Sequence, residues 1–270
     1  MAVAMQSWGD LLREWRQRRR MSQLDLACEA DISTRHLSFL ETGRSQPSRD
    51  MVLHLAEHLE VPLRERNVML VAAGYAPLFA ERPLEDPALQ AARKAIDLVL
   101  AGHEPYPALA VDRHWTLVAA NGAVGRLMAC ADPSLLAPPV NVLRASLHPK
   151  GLAPRIANLA EWRAHLLARL RRQVEASADP VLAGLAHELA AYPAPPARRP
   201  VRTSDYGGVL VPLQLEVDGA GTLSLLSTTT VFGTPLDITL SELTLEAFYP
   251  ADADTAAALA GLARAADAEP

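Results

Sequence analysis

Three things are scarce in this 270-residue chain: cysteine, an excess of positive charge, and long apolar runs. The two cysteines, Cys28 and Cys130, are too few and too far apart for a disulfide framework or a zinc ribbon, and they suit a reducing cytoplasm. The net charge of −5, from 26 basic and 31 acidic side chains, excludes a uniformly basic polyanion binder. Any contact with nucleic acid must then come from a local patch. The most apolar stretches, residues 68–80 and 96–101, are too short or too broken by glycine and proline to span a bilayer, so no membrane partner is expected. Residues 1–10 show no basic stretch leading into an apolar one, so no secretory leader is expected. The chain also lacks a G-x-S-x-G elbow and a G-x-x-x-x-G-K phosphate loop. No catalytic role and no cofactor are expected. Cys130, flanked by Ala129 and Ala131, reads as a buried, inert thiol.

What is present is a large apolar fraction, 50% of residues, and a length that fits about two domains at roughly 150 residues each. Charge is divided unevenly. Residues 1–80 hold ten basic and ten acidic side chains, so the whole acidic excess falls on 81–270. From Thr203 onward Arg264 is the only cation against ten acids. A neutral N-terminal part with clustered arginines, joined to an acidic remainder, points to a nucleic-acid reader tied to something else.

The first third reads as five short helices. Trp8, Leu11, Leu12 and Trp15 share a stripe, with Ser7 as cap and the basic run Arg18–Arg20 at the end. Ser22 and Asp25 have capping-box spacing before a second helix with Leu24, Leu26 and Ala27 as its apolar positions. Ser33 caps a third helix reaching Glu41, and Gly43 stops it. A fourth helix opens at Pro47–Ser48, with Val52, Leu55, Ala56 and Leu59 inward, and a fifth opens at Pro62 and ends near Gly74. Two helices joined by a turn, the second polar on its outer side, form a helix-turn-helix. With Leu37 and Leu40 inward, Thr34, Arg35, Ser38 and Phe39 face out. In a major groove Arg35 can offer a two-pronged contact to guanine, Thr34 and Ser38 can bond bases or phosphates, and Phe39 can meet a thymine methyl. Arg44 can reach a flanking phosphate.

The segment Ser22–Ser48, SQLDLACEADISTRHLSFLETGRSQPS, resembles the lambda-repressor-like, XRE-type DNA-binding domain. RHLSFLETGR together with VPLRERN and AAGYAP resembles one subgroup, the MmyB-like transcription regulators, over nearly all of residues 7–80. The resemblance implies a phosphate-anchoring role for Gln23 and an ion pair between Arg16 and Glu41. Asp31 stands where the family usually has glycine. The fourth helix also carries HLAEH at residues 54–58, the H-x-x-E-H pattern of inverted zinc peptidases. Its histidines fall on the solvent side of a helix in a unit without a cleft, so no metal is expected there.

Residues 81–87 read as a hinge, and Pro87–Leu100 as a connecting helix with Leu89, Ala92, Ile96 and Leu100 on one face, able to bridge domains or pair with a second copy. From Tyr106 the pattern changes. Residues 108–112 and 116–121 read as strands around the turn Asp112–Trp115, followed by a helix at 122–128, like the opening of a PAS-type sensor. Helices follow at 159–174 and 181–192, a proline-rich loop at 193–200, strands at 209–217, 221–230 and 238–249, and an alanine-rich helix or tail at 254–266. LHPKGLAPRIANLAEW, residues 147–162, most resembles the MmyB-like ligand-binding domain, which implies a PAS-like small-molecule sensor with a fatty acid as candidate ligand. An apolar pocket under such a sheet is expected to use Leu117, Leu147, Ile156, Leu166, Leu170, Leu213, Leu225 and Phe232. Arg155 is the expected partner for a carboxylate head, with His148 and Asn158 adding hydrogen bonds. Arg169, Arg171 and Arg172 read as a solvated helix end.

The sequence thus predicts a multidomain protein: an all-α five-helix lambda-repressor-like domain at 1–80, a linker and helix at 81–104, an α+β PAS-like domain at 105–262, and a tail. The expected partners are double-stranded operator DNA, a small apolar ligand and a second copy of the chain in a homodimer. The alternatives are a C-terminal domain that only dimerises or binds a protein, and an enzyme with a DNA-binding appendage.

Overall fold

The computed structural model of the chain describes residues 6–193, 210–233 and 235–267. Most of the expected 193–200 loop, the start of the expected strand at 209 and the last residues of the tail lie outside them. The chain divides into two units, one consisting chiefly of the chain up to Arg82 and the other of most of the chain from Pro83.

The first unit holds α1 (Trp8–Arg18), α2 (Gln23–Glu29), α3 (Thr34–Glu41), α4 (Arg49–His58) and α5 (Leu63–Ala72). Serine starts the first four. Ser7, Ser22, Ser33 and Ser48 each accept a hydrogen bond from the backbone N–H three residues on, which satisfies a donor that helix geometry leaves orphaned. At Ser22 the box is closed, because Asp25 also accepts from the Ser22 N–H at 2.8 Å. Leu12, Leu26, Leu37, Leu40, Leu55 and Leu70 are fully buried and form the core between the helices.

Leu24 departs from expectation: it is 60% exposed. Leu26 and Ala27 take the inner stripe of the short α2, and Leu24 lies roughly 200° around the helix from Leu26 at 3.6 residues per turn. Between α2 and α3, Asp31 adopts φ 50°, the left-handed conformation the turn demands, and the Ile32 N–H donates back to Ala27 O at 2.9 Å. Where α1 crosses α3 the backbones nearly touch. A Cβ on Gly9 would lie 2.5 Å from Glu41 O and 2.8 Å from Leu40 O, so only glycine permits this approach.

The second unit opens with a 3₁₀ turn (Pro87–Leu89) and α6 (Gln90–Gly102). Then come β1 (Ala108–Val111), β2 (Leu117–Ala120), α7 (Gly122–Met128), α8 (Pro133–Leu136), α9 (Val142–Leu147), α10 (Leu159–Ser177) and α11 (Pro180–Ala191). The chain closes with β3 (Leu213–Val217), β4 (Gly221–Val231), the short helical turn α12 (Ile238–Ser241), β5 (Thr244–Pro250) and α13 (Ala253–Asp267). Of these elements α12 belongs to the first unit. The five strands form one antiparallel sheet in the order β2-β1-β5-β4-β3.

Period-two alternation sorts the side chains of this sheet. On one face Leu109, Val111, Leu213, Leu215, Leu223 and Leu225 join the main core with α7, α9, α10 and α11. On the other face Ala108, Ala110 and Leu245 pack under Ile96 and Leu100 of α6. Every residue of β1 is buried because both its faces are covered. The expected connecting helix is therefore part of the second unit, with Leu98 and Val99 on its outer side. The expected strand at 238–249 is corrected to α12 followed by β5. Cys130 is corrected from buried to exposed.

Candidate functional site: an exposed helix face and an apolar cavity

In the first unit α3 buries Leu37, Leu40 and Glu41 and turns its other side outward. Thr34, Arg35 and Arg44 are exposed, while Ser38 and Phe39 are half-buried. Phe39 sits between two guanidinium groups, with Arg35 Cζ 5.3 Å and Arg44 Cζ 5.9 Å from its ring centre. Five of the six expected DNA-reading residues thus lie on or beside one outer face, a cationic and aromatic patch within residues 1–80, whose charges sum to zero.

The position of α3 is fixed from below. Glu41, whose side chain has no exposure, accepts from Arg16 Nε at 2.6 Å and from the second Arg16 nitrogen at 3.1 Å, so the expected pair is formed. Arg13 lies 3.5 Å away. Gln23, the sixth expected residue, donates from Nε2 to Glu41 at 2.8 Å, so its amide is part of this buried network. Burial pushes the Glu41 carboxyl up, but hydrogen bonds from Arg16 and Gln23 and the charges of Arg16 and Arg13 outweigh it and hold the group below the ordinary glutamate value. His54 and His58 of the HLAEH motif meet edge to face at 4.7 Å, and His54 Nε2 lies 2.8 Å from Ala30 O. Among the described residues no cluster of three or more metal-binding side chains occurs.

The second unit contains an apolar cavity of about 100 Å³. Leu109, Leu213, Leu215, Leu225 and Phe248 line it from the sheet, and Val124, Leu127, Leu143, Trp162 and Leu166 from the helices. One edge is polar. Arg169 on α10 reaches across to Glu246 on β5, at 2.9 Å and 2.5 Å to its two oxygens, and to Thr229 Oγ1 at 2.9 Å. The Arg169 guanidinium lies 4.6 Å over the ring of Trp115. Trp115 holds φ 65°, a rare backbone region for an aromatic residue, in a turn clamped by Asp112, whose carboxylate accepts from the N–H groups of His114 and Thr116 at 2.8 Å each. The indole N–H then donates to Gln173 at 2.8 Å.

The structure brings Leu166, Leu213 and Leu225 of the expected ligand set to the cavity. It places the others elsewhere. Leu147, Ile156 and Leu170 are solid core, and Leu117 packs at the edge of that core. Phe232 belongs to the cluster on the α6 face. Asn158 is buried but acts as a fastener, donating to Pro212 O at 2.8 Å and accepting from the Gln214 N–H at 3.1 Å. The His148 ring accepts from the Lys150 N–H and packs against Tyr192. Arg155 pairs with exposed Asp218 at 2.8 Å, away from the cavity. Arg169, expected on a solvated helix end, is instead 16% exposed in the middle of α10, and neither it nor Glu246 was expected at the cavity. The signal for Arg169 was its place in the stripe Trp162, Leu166, Arg169, Gln173, which repeats at helical spacing.

Comparison with known proteins agrees with this division. Residues 8–69 match a family described as a helix-turn-helix domain, which defines the first unit as a helix-turn-helix domain. Residues 92–262, most of the chain, match the MmyB-like transcription regulator ligand binding domain. The chain belongs to the MmyB-like transcription regulators. A protein of Methanoculleus marisnigri named "Putative HTH-type transcriptional regulatory protein" is 36% identical over 116 residues, which cover 41% of this chain and 37% of that relative. The chain therefore spans little more than a third of that relative's length. No helix among the described residues is long and apolar enough to cross a membrane.

Proposed function

We propose that the protein is a cytoplasmic, sequence-specific DNA-binding regulator whose second unit, a PAS-like sensor, binds a small ligand with an apolar chain, a fatty acid or related acyl compound being the candidate. Occupancy of the cavity changes how two copies pair, and so the spacing of their α3 helices. Half-sites about one helical turn apart, roughly 34–36 Å, are read only when that spacing fits. The ligand acts through its differential affinity for the two arrangements and needs no turnover. Thr34, Arg35, Ser38 and Phe39 read the groove and Arg44 holds the backbone, while Gln23, with one amide hydrogen on Glu41, offers its second to a phosphate.

The observation that carries this reading is the pairing of two features on one chain: an outer face in one unit where exposed Arg35 and Arg44 flank half-buried Phe39, and an apolar, polar-edged cavity in the other. Genome-wide mapping of bound sites supplies the operator. Titration of that operator with the purified chain, with and without acyl compounds, tests the coupling. Operator affinity that no cavity-binding compound alters refutes regulation by ligand. A second reading, in which the second unit only dimerises, is favoured by Leu98, 74% exposed on α6, and by the small size of the cavity. Mass spectrometry of extracts from purified protein separates the two: a co-purifying lipid supports the sensor, and an empty cavity that no acyl chain stabilises supports the dimerisation unit.

A further inference from the structure

The polar edge of the cavity in the second unit is already charge-balanced. A carboxylate ligand needs an unsatisfied cation, and an arginine fork is its natural anchor. Among the described residues lining the cavity, Arg169 is the only cation, and both of its terminal nitrogens are engaged by Glu246. Its flat face is taken by Trp115 and its remaining reach by Thr229. The Arg169 side chain is 16% exposed and that of Glu246 only 4%. His165, one turn earlier on α10, is held toward its neutral form, first by burial and then by Arg169 and Arg172, so it adds no positive charge. The described lining residues also include Ser146, Ser227, Trp115 and Trp162, of which Trp115 donates its indole N–H to Gln173 and Trp162 to Ser146.

We propose that the cavity selects an acyl-chain ligand with an uncharged, hydrogen-bonding head, an alcohol or primary amide, over the carboxylate of the same length. The proposal rests on the reading of this cavity as a ligand site and narrows its candidate from a free fatty acid to a neutral acyl compound. An incoming carboxylate meets two bad choices. It can sit beside Glu246 as a second negative charge, or it can take Arg169 and strand Glu246 buried without its partner. A neutral head meets neither. An ionised carboxylate offers about four lone-pair positions. Glu246 receives three donors from the described residues: two from Arg169, and one from Thr229 at 3.1 Å. One position is left for the O–H or N–H of a ligand, and a carboxylate has no such donor to give. The chain length follows from the cavity. Its volume of about 100 Å³ is of the order of the ~150 Å³ apolar cavity that accepts benzene, so a chain of about six carbons fills it as it stands.

The test uses the full chain at pH 7.5 and matched probes of six and ten carbons: alcohol, primary amide and carboxylate. Affinities are read by calorimetry and thermal shift. The expected result is that alcohol and amide bind at least about tenfold tighter than the carboxylate. In Glu246→Gln, Arg169 loses its counter-charge, and the carboxylate is expected to gain at least about tenfold relative to the alcohol. Wild-type protein that binds carboxylate as tightly as alcohol overturns the proposal, and so does a folded Glu246→Gln protein with unchanged ranking. The wild-type ranking decides the matter alone if that variant does not fold. Binding of no probe at either length overturns the ligand reading of the cavity itself, and the proposal with it.

Discussion

Removal of Arg16 tests how the first unit holds its exposed helix. Arg16→Met keeps most of the buried stem and deletes two hydrogen bonds to Glu41, at 2.6 and 3.1 Å, and one to Met21 O at 2.8 Å. Taking one partner from a buried ion pair costs roughly 3–5 kcal/mol. The low end applies here, because Gln23 at 2.8 Å and Arg13 at 3.5 Å remain on Glu41, so the expected loss is about 3 kcal/mol. With two units in the chain a single unfolding transition is not assured. The assay is therefore hydrogen exchange followed by mass spectrometry, read on peptides from α1 and α3. At about 1.4 kcal/mol per tenfold, exchange there should quicken by roughly a hundredfold, with α10 and β5 unchanged. Acceleration below about fivefold refutes the claim that this pair fastens α3. The pH dependence has a definite sign. Glu41 titrates lower in the folded protein than in the unfolded chain, so its contribution is present above the ordinary glutamate value and is lost as pH falls through the folded value. Glu41→Gln should flatten the loss of α3 protection on acidification below about pH 4.5, near the ordinary glutamate value.

Other expectations follow from single contacts. Arg35→Ala should cost about 1–3 kcal/mol of operator affinity and relax preference at one base pair, whereas Arg44→Ala should weaken binding to all sequences alike; competition binding against mismatched duplexes separates them. If Arg35→Ala leaves operator affinity unchanged, the docking of α3 is wrong. Gly9→Ala should destabilise the first unit by about 1–3 kcal/mol, because its Cβ would meet backbone that cannot rotate away, and a thermal melt without a downward shift would contradict the α1–α3 crossing. At Asp31, with φ 50°, replacement by glycine should be tolerated while Asp31→Val should cost at least about 1 kcal/mol more in denaturant titration, since a β-branched side chain resists that conformation.

Much of the fold was legible because local chemistry and burial agree. Each of the first four helices carries its own starting signal in a serine, and α7 starts at Asn121, whose side chain also ties β1 by accepting from the Ala108 N–H at 3.1 Å. The miss at residues 238–249 shows what alternation alone conceals. Ile238 and Leu240 alternate in one phase, and Leu243, Leu245 and Ala247 in the other. A continuous strand cannot change phase without moving its buried set to the opposite face, so the chain breaks there. Asp237 supplies the local cause by accepting from the Thr239 N–H at 2.9 Å and starting the turn α12.

The helix face was more legible than the cavity, for a physical reason. A recognition face is defined by what points away from the core, and helical spacing alone gives that. A cavity is defined by where packing falls short, and Leu166, which lines it, cannot be told in sequence from Leu170, which fills the core one turn on. Polar residues are the exception. Arg155 ends a 3₁₀ turn, Ala153–Arg155, near the surface, and it found a partner in solvent at Asp218. Arg169 interrupts an apolar stripe and Glu246 an apolar strand. Two opposite charges that break the apolar faces of two facing elements are placed to meet, and the head group a ligand presents must be accommodated by the pair rather than by the arginine alone.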